Sequence, residues 1–359
     1  MKVAFMVSRV IRTGPNTNMM AVLAHLPTDS VTADVVVLDA DSDRAMLEDL
    51  CAWGIATRIV TGGGVRAQRS ALRELAQVEG YDLVVSCGIR ADWFNVLSMP
   101  RRCRVVIKQE PAFTPFRGRL MTILVRVWHL LLIFRARRII SVSRHVHDSL
   151  PRVVRKRSVV IPNAVDLDRF RPPSPDERRA ARAKLGVDDD REVLAFAGTL
   201  DGRKRPHLLA SAVIRLRSSG RPVELVIAGD GPMRARLEAL AESAGVSLIG
   251  FREDVRELLW AADAFALPST HEGLPLAAME ALACRLPIVL SDIPPHRELL
   301  EGWSRAGEVV EPTDEDELGG AIARVLDRSG DEAPRRLAEE RLSAPLMARR
   351  YAELFVTLD

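Results

Sequence analysis

Short runs of consecutive apolar, often β-branched residues alternate along this chain with stretches in which apolar positions recur every three or four residues. In the first half the runs Lys2–Val7, Asp34–Leu38, Leu83–Ser86, Val105–Lys108, Ile139–Val142 and Ser158–Ile161 read as strands. Helical spacing fills Asn18–His25, Arg44–Cys51 and Arg69–Glu79 between them. Regular structure is disfavoured around Phe170-Arg171-Pro172-Pro173-Ser174-Pro175. The pattern restarts at Glu192–Gly198 and continues with strands at Val223–Ala228, Ser247–Ile249, Ala264–Leu267 and Ile288–Ser291. Ala344–Leu358 has helical spacing and no strand after it. Such alternation predicts an α/β architecture with mostly parallel sheets. The expected division is an N-terminal domain over 1–165, a linker over 166–190, a second domain over 191–335 and a closing segment over 336–359.

A length of 359 residues suits two domains that each bury a core, and 47% apolar against 28% charged residues excludes a disordered or fibrous chain. Four cysteines without C-x-x-C spacing argue against a zinc ribbon, a redox pair or a disulfide framework. The opening residues lack the apolar length of a signal peptide, so a cytoplasmic chain is expected. The formal net charge of +3 conceals an asymmetry. Between Arg101 and Arg157 fifteen Lys or Arg stand against only Glu110 and Asp148, which leaves the rest of the chain net acidic. That segment suits an anionic partner. Within it, Leu120–Phe134 is apolar apart from Arg126 and His129, too short and interrupted to span a bilayer. It reads either as a basic helix on an anionic membrane surface or as a helix packed on the first domain's sheet. No nucleic-acid-binding module is recognisable, and with 5% aromatic residues nucleic acid is not an expected partner.

The most informative run is Pro268-Ser269-Thr270-His271-Glu272-Gly273-Leu274-Pro275, which follows a strand and leads into a helix containing Glu280. Pro275 is expected in the first helical turn, where free backbone N–H groups favour an anion such as a diphosphate. Gly273, followed by Leu274, allows close backbone approach to that ligand. Glu272 can accept hydrogen bonds from sugar hydroxyls and Glu280 can hold a ribose diol. The plainer alternative is that Glu272 caps the helix and Glu280 is solvated. A second loop, Gly198-Thr199-Leu200-Asp201-Gly202-Arg203-Lys204-Arg205, follows the Glu192–Gly198 strand and places cations where a departing phosphate gathers charge. A third, Gly229-Asp230-Gly231-Pro232, joins another strand to a helix. Three such loops at successive strand ends point to one crevice. In the first half the loop Ser8–Asn16 carries only Gly14, where the dinucleotide fingerprint needs three glycines, so NAD and FAD are not expected. Asp39-x-Asp41 reads as a surface turn, His145 and His147 do not share a helical face, and no metal or other cofactor is expected.

Taken in order, Ile161–Asp168 with Phe170, the Gly198/Lys204 loop, Gly229–Pro232, and Glu272 seven residues before Glu280 resemble glycosyltransferase family 4. The resemblance runs through most of the chain and is strongest from Val159 to Glu298. It implies the GT-B fold, two Rossmann-like domains with parallel sheets facing across a cleft, and a closing helix that crosses back to the first domain. It implies a metal-independent, retaining transfer of a hexosyl group from a nucleotide-diphosphate sugar, with Glu272, Lys204 and Arg203 at the reacting centre. Lys204 then meets the diphosphate, Glu280 the ribose, and Gly14 approaches the donor phosphate from the facing domain. Gly198, Thr199, Gly231, Gly273 and Leu274 line the donor, while Gln109 and Asn163 complete the substrate side. Four departures stand out: Thr199 where the family often has Arg, Gln109 where many members have His, Asn163-Ala164 for Asn-Gly, and Pro294-Pro295 for a glycine pair. The acceptor expected is a lipid-linked glycan at the inner face of the cell membrane. Alternatives are a soluble acceptor, or a non-catalytic nucleotide-sugar-binding protein.

Overall fold

A computed structural model describes residues 1–109, 127, 131–241 and 245–358. The chain forms two compact units, Met1–Ala164 with Ala344–Asp359, and Val165–Ser343. The first contains β1 (Lys2–Val7), β2 (Thr32–Val37), β3 (Ala56–Ile59), β4 (Leu83–Cys87), β5 (Arg104–Lys108), β6 (Arg138–Ser141) and β7 (Ser158–Val160). These pair in parallel in the order β3-β2-β1-β4-β5-β6-β7. The second unit contains β8 (Glu192–Ala197), β9 (Val223–Ala228), β10 (Val246–Gly250), β11 (Ala264–Leu267), β12 (Ile288–Ser291) and β13 (Gly307–Val310). Their order is β10-β9-β8-β11-β12-β13, again parallel. In both sheets the chain winds outward from its first strand and then returns to that strand's other side. The loops leaving β1 and β4, and those leaving β8 and β11, therefore diverge at a reversal point, where open α/β sheets leave a crevice.

The apolar runs become strands within about two residues of their expected limits, because burial on both faces demands unbroken hydrophobicity. β3 and β13 escape the pattern. Both are edge strands, and the sequence of β3, Ala-Thr-Arg-Ile, is only partly buried. Residues 166–190, expected as a linker, hold the helix Pro175–Leu185. Ser174 and Glu177 form a capping box at its start, Pro175 sits in its first turn, and Gly186 ends it at φ 69°. Residues 171–174 carry no regular structure, as expected there, and Pro175 marks the helix start.

That helix is fastened to the second unit by a buried ion cluster. The Arg182 side chain, 4% exposed, lies 2.7 Å from Asp263, which also pairs with Arg178 at 2.6 Å. Arg182 donates further to the carbonyl groups of Ala261, Asp188 and Asp189, each at 3.1 Å. Asp263 in turn accepts the backbone N–H of Val193 at 2.9 Å, which ties the cluster to β8. In the first unit the closing helix Ala344–Val356 packs on the helix Gly14–Leu23. Phe355 meets Phe5 edge-on with ring centroids 6.2 Å apart, and Tyr351 meets Phe355 at 5.8 Å.

Most of the apolar run Leu120–Phe134 lies outside the described residues. Of its described part, Leu132 and Ile133 are buried, Ile133 against Val106 and Ile139, whereas Val127, Leu131 and Phe134 are exposed. Among the described residues, no helix is long and apolar enough to cross a membrane.

Removing Asp263 strands the two guanidinium groups it neutralises. Asp263→Ala is expected to lower stability by about 3 kcal/mol, read as the shift in a urea or thermal unfolding curve. A change of under about 0.5 kcal/mol means that the cluster does not hold the helix in place.

Candidate functional site

The site grows from the reversal point of the second sheet. β8 ends at Ala197, and Gly198 turns the chain at φ 155° into the loop that reaches Arg205. Asp201 shapes this loop by accepting the backbone N–H groups of Arg203 at 3.0 Å and Lys204 at 2.9 Å. Arg205 closes the turn in the left-handed region at φ 49°, and its Nε donates to the carbonyl of Pro268 at 3.0 Å. Strain of this kind persists only where surrounding contacts enforce it. The carbonyl of Arg203 accepts the N–H of Thr270 at 2.8 Å, so the loop after β8 is laced to the loop after β11.

Gly229 and Gly231 brace the same loop from behind. A Cβ on Gly229 would lie 1.9 Å from the Gly198 carbonyl oxygen, and one on Gly231 would lie 2.6 Å from that of Leu200. No side chain fits at either position, and across the contact the Leu200 N–H donates to the Asp230 carbonyl while the Leu200 carbonyl accepts the Met233 N–H, each at 2.9 Å. Gly231, expected to line a ligand, is thus required first by packing against the loop at Leu200.

This scaffold brings the predicted charged residues together. Lys204 Nζ lies 2.6 Å from Glu272 Oε1, and Arg203 reaches the other carboxylate oxygen at 3.7 Å. Both members of the shorter pair are nearly enclosed, at 13% and 9% side-chain exposure. Burial alone would lift the Glu272 carboxyl, but the charge and hydrogen bond of Lys204, helped by Arg203, hold it below its ordinary value. Gly273 and Leu274 are buried directly after it. Pro275 is the N-cap, one position earlier than the first turn expected for it, because its ψ of 105° is extended; the helix proper is Leu276–Ala283. Among the described residues no side chain caps this helix, which leaves the amide groups of its first turn to an anion.

Glu280, on the same helix, is in the opposite electrical situation. It is half-buried, and no hydrogen bond or ion pair engages its carboxyl among the described residues. Burial pushes it up to about 8; Arg169 pulls it down and Asp254 pushes it further up. Arg169 and Asp254, which form an ion pair of 3.4 Å, had no signal in the sequence. Nor did His296, which is fully buried with Nδ1 donating to the Ser291 carbonyl at 2.9 Å. Burial brings its imidazole down to about 4, and Glu272 and Lys204 act on it electrostatically. Thr199 is exposed beside the loop and brings no charge, leaving Arg203 and Lys204 as the cations facing Glu272.

The remaining predicted residues belong to the first unit. Gly14 is exposed as the first residue of the helix after β1. Gln109 follows β5 and lines a small cavity with Asn18, Cys87 and Tyr351. Asn163 is buried beyond β7, next to Ala164, whose N–H donates to Asn18 at 3.0 Å. All three sit toward the C-terminal ends of their sheet's strands. Asp39 and Asp41 occupy a surface turn, paired with Arg90 and Arg9 respectively.

Two family profiles tile the chain. Residues 19–169 match Glycosyltransferase Family 4, and residues 177–341 match Glycosyl transferases group 1. This chain belongs to glycosyltransferase family 4. Among curated relatives of this family 4 protein is the alpha-D-kanosaminyltransferase of Streptomyces kanamyceticus, 32% identical over 52% of this chain and 48% of that one. A GDP-mannose-dependent alpha-(1-6)-phosphatidylinositol dimannoside mannosyltransferase of Mycobacterium tuberculosis is 30% identical over 61% of this chain and 57% of its own length. The chain thus spans about half the length of these curated relatives. Anabaena HepE in complex with UDP and glucose superposes with a TM-score of 0.81 at 19% identity over 99% of both chains, a likeness of fold, the GT-B fold.

The contrast between the two acids has a measurable consequence. Glu280 binds its proton more tightly in the folded state than its ordinary value of 4.5 allows. Its contribution to stability is full below about pH 4.5 and is lost as pH rises towards 8. Glu280→Gln, which cannot ionise, is therefore expected to melt progressively higher than the parent chain between pH 5 and about pH 8. A melting difference that does not change with pH would contradict this.

Proposed function

We propose that this family 4 protein transfers a hexosyl group from a nucleoside-diphosphate sugar to an acceptor hydroxyl, with retained configuration and without a metal ion. The observation that carries the reading is the buried Lys204–Glu272 pair at the reversal point, beside an uncapped helix start and the unpaired Glu280. In the free protein Lys204 and Arg203 neutralise Glu272. A bound diphosphate draws the two cations onto its own oxygens, together with the amide groups at the start of the helix Leu276–Ala283. Glu272 is then free to accept hydrogen bonds from the hexose hydroxyls alongside Gly273 and Leu274. Glu280 meets the ribose diol, whose two O–H donors favour the ionised carboxylate that the empty site disfavours.

In the reaction the bond between the anomeric carbon and the diphosphate oxygen breaks, and its electron pair stays on phosphate. Lys204, Arg203 and the helix amides are placed to stabilise that charge as it develops. The acceptor oxygen bonds to the same face of the sugar, and its proton passes to the departing phosphate, so no protein nucleophile is needed. Gly198 and Thr199 border the diphosphate, and Gly14, Gln109 and Asn163 are assigned to the substrate side of the first unit. The favoured acceptor is a lipid-linked glycan at the cytoplasmic face of the membrane. The mannosyltransferase relative named for phosphatidylinositol dimannoside supports this, whereas the kanosaminyltransferase keeps a soluble acceptor in view.

Nucleoside diphosphate release across a donor panel, with and without lipid extract, tests the assignment. Release that rises with lipid extract is expected; release with soluble sugars alone moves the acceptor to the second reading, and none with any donor removes the activity. By NMR the product keeps the donor's anomeric configuration, and an inverted product refutes the retaining mechanism. Lys204→Met is expected to lower kcat at least about 100-fold. Lys204→Met combined with Glu272→Leu should recover stability lost in the single variant without recovering turnover.

A further inference from the structure

In the second unit many arginines are matched by carboxylates, Arg221 with Glu192 and Asp327, Arg324 and Arg328 with Glu308, Arg305 with Asp331. One end of the first unit instead gathers several arginines at once without such partners. Arg101 and Arg102 precede β5, Arg135 and Arg137 precede β6, and Arg157 precedes β7, so parallel pairing gathers them where these strands begin. Among the described residues none of these, nor Arg104, pairs with a carboxylate. Their guanidinium groups turn to backbone carbonyls: Arg137 to Arg102 at 2.8 Å, Arg157 to Phe134 at 3.1 Å, Arg104 to Met99 at 2.8 Å. They are close enough to act on one another. Burial, then Arg135 and Arg101, bring Arg104 below its ordinary value, and burial with Arg101 does the same for Arg157.

Two further features adjoin these charges. A groove of about 1090 Å3 opens at the same end, lined by Arg73, Arg102, Arg104 and Arg137 over Tyr81 and Met99. Asp82 is the carboxylate in its described lining, and it accepts the Lys2 amide. Immediately before Arg135 lie exposed apolar side chains, Val127 at 52%, Leu131 at 55% and Phe134 at 39%. Leu131 and Phe134, three residues apart within the helical residues 131–134, share one helix face. Apolar side chains left in water beside unneutralised arginines are the chemistry of an interfacial surface: the apolar groups enter the headgroup boundary and the guanidinium groups meet lipid phosphates.

We propose that this end of the first unit, the arginines before β5, β6 and β7 with the exposed Leu131 and Phe134, docks the protein on an anionic phospholipid membrane. The surface is distinct from the Lys204–Glu272 site and needs no donor for its action. Docked in this way, the C-terminal ends of the first sheet's strands stand off the bilayer by about 16 Å, the length of β5. That consequence, which rests on the transferase reading, favours an acceptor glycan that extends from the bilayer over a bare lipid headgroup.

The test is co-sedimentation of the full chain at low salt with phosphatidylcholine vesicles, with and without phosphatidylglycerol. The protein is expected to bind only the anionic vesicles and to be released by high salt. Arg101→Glu/Arg102→Glu/Arg135→Glu, at exposed positions with no side-chain partner among the described residues, should weaken binding at least about tenfold. Leu131→Gln/Phe134→Gln should weaken it separately. Unchanged melting and unchanged nucleoside diphosphate binding in both variants show that fold and donor site are intact. No binding to anionic vesicles, equal binding to neutral ones, undiminished binding by the arginine variant, or full competition by inorganic phosphate would each overturn the proposal. Loss of transferase activity without loss of vesicle binding, in contrast, would count against the function above and leave this surface standing.

Discussion

A buried ammonium–carboxylate contact, Lys204 with Glu272, is the interaction on which the candidate site of the second unit depends. Two charges so enclosed are costly to desolvate, and each is tolerable only because the other is there. The contact joins loops that leave adjacent strands of the sheet, and every neighbouring contact serves to hold those loops in register. Asp201 folds one loop, Arg205 and the Arg203 carbonyl tie it to the other, and Gly229 and Gly231 press on it so closely that a methyl group would not fit. In the proposed function this pair exchanges partners, because an incoming dianion offers the cations more charge than one carboxylate does.

Glu272 and Glu280 show how environment divides two identical side chains. The first is held ionised by cations in contact, and the second is driven towards its neutral form by burial without a partner. Opposed shifts in neighbouring acids are a mark of functional sites, where they separate the tasks of two carboxyl groups. Here the separation follows from the loop after β8, which supplies cations to residue 272 and none to residue 280.

Charge is distributed between the units by the same logic. Arginines of the second unit fasten helices and loops by ion pairing, as Arg178 and Arg182 do through Asp263. Among the described residues those at the strand-start end of the first unit pair with no carboxylate, and Arg104, Arg137 and Arg157 bond backbone carbonyls instead. Part of the basic excess between Arg101 and Arg157 is thereby concentrated at one end of the first sheet.

Much of this was legible in the linear chain. Unbroken apolar runs marked the central strands, since burial on both faces leaves one composition possible, and Glu272, Glu280, Lys204 and the glycine loops announced themselves by order and spacing. Edge strands β3 and β13 did not, because half-exposed strands need no such run, and the helix that begins at Pro175 was hidden because proline both breaks and begins helices. Beyond reach were the contacts between distant positions: Arg169 and Asp254 beside Glu280, His296 within the electrostatic range of Glu272, and the gathering of arginines from three strand starts. Local composition determines which segments become strands and helices and what chemistry they carry. Only tertiary packing decides which charges are neutralised and which carboxyl keeps its proton, because burial and partner distance belong to the folded assembly of many segments and to none of them alone.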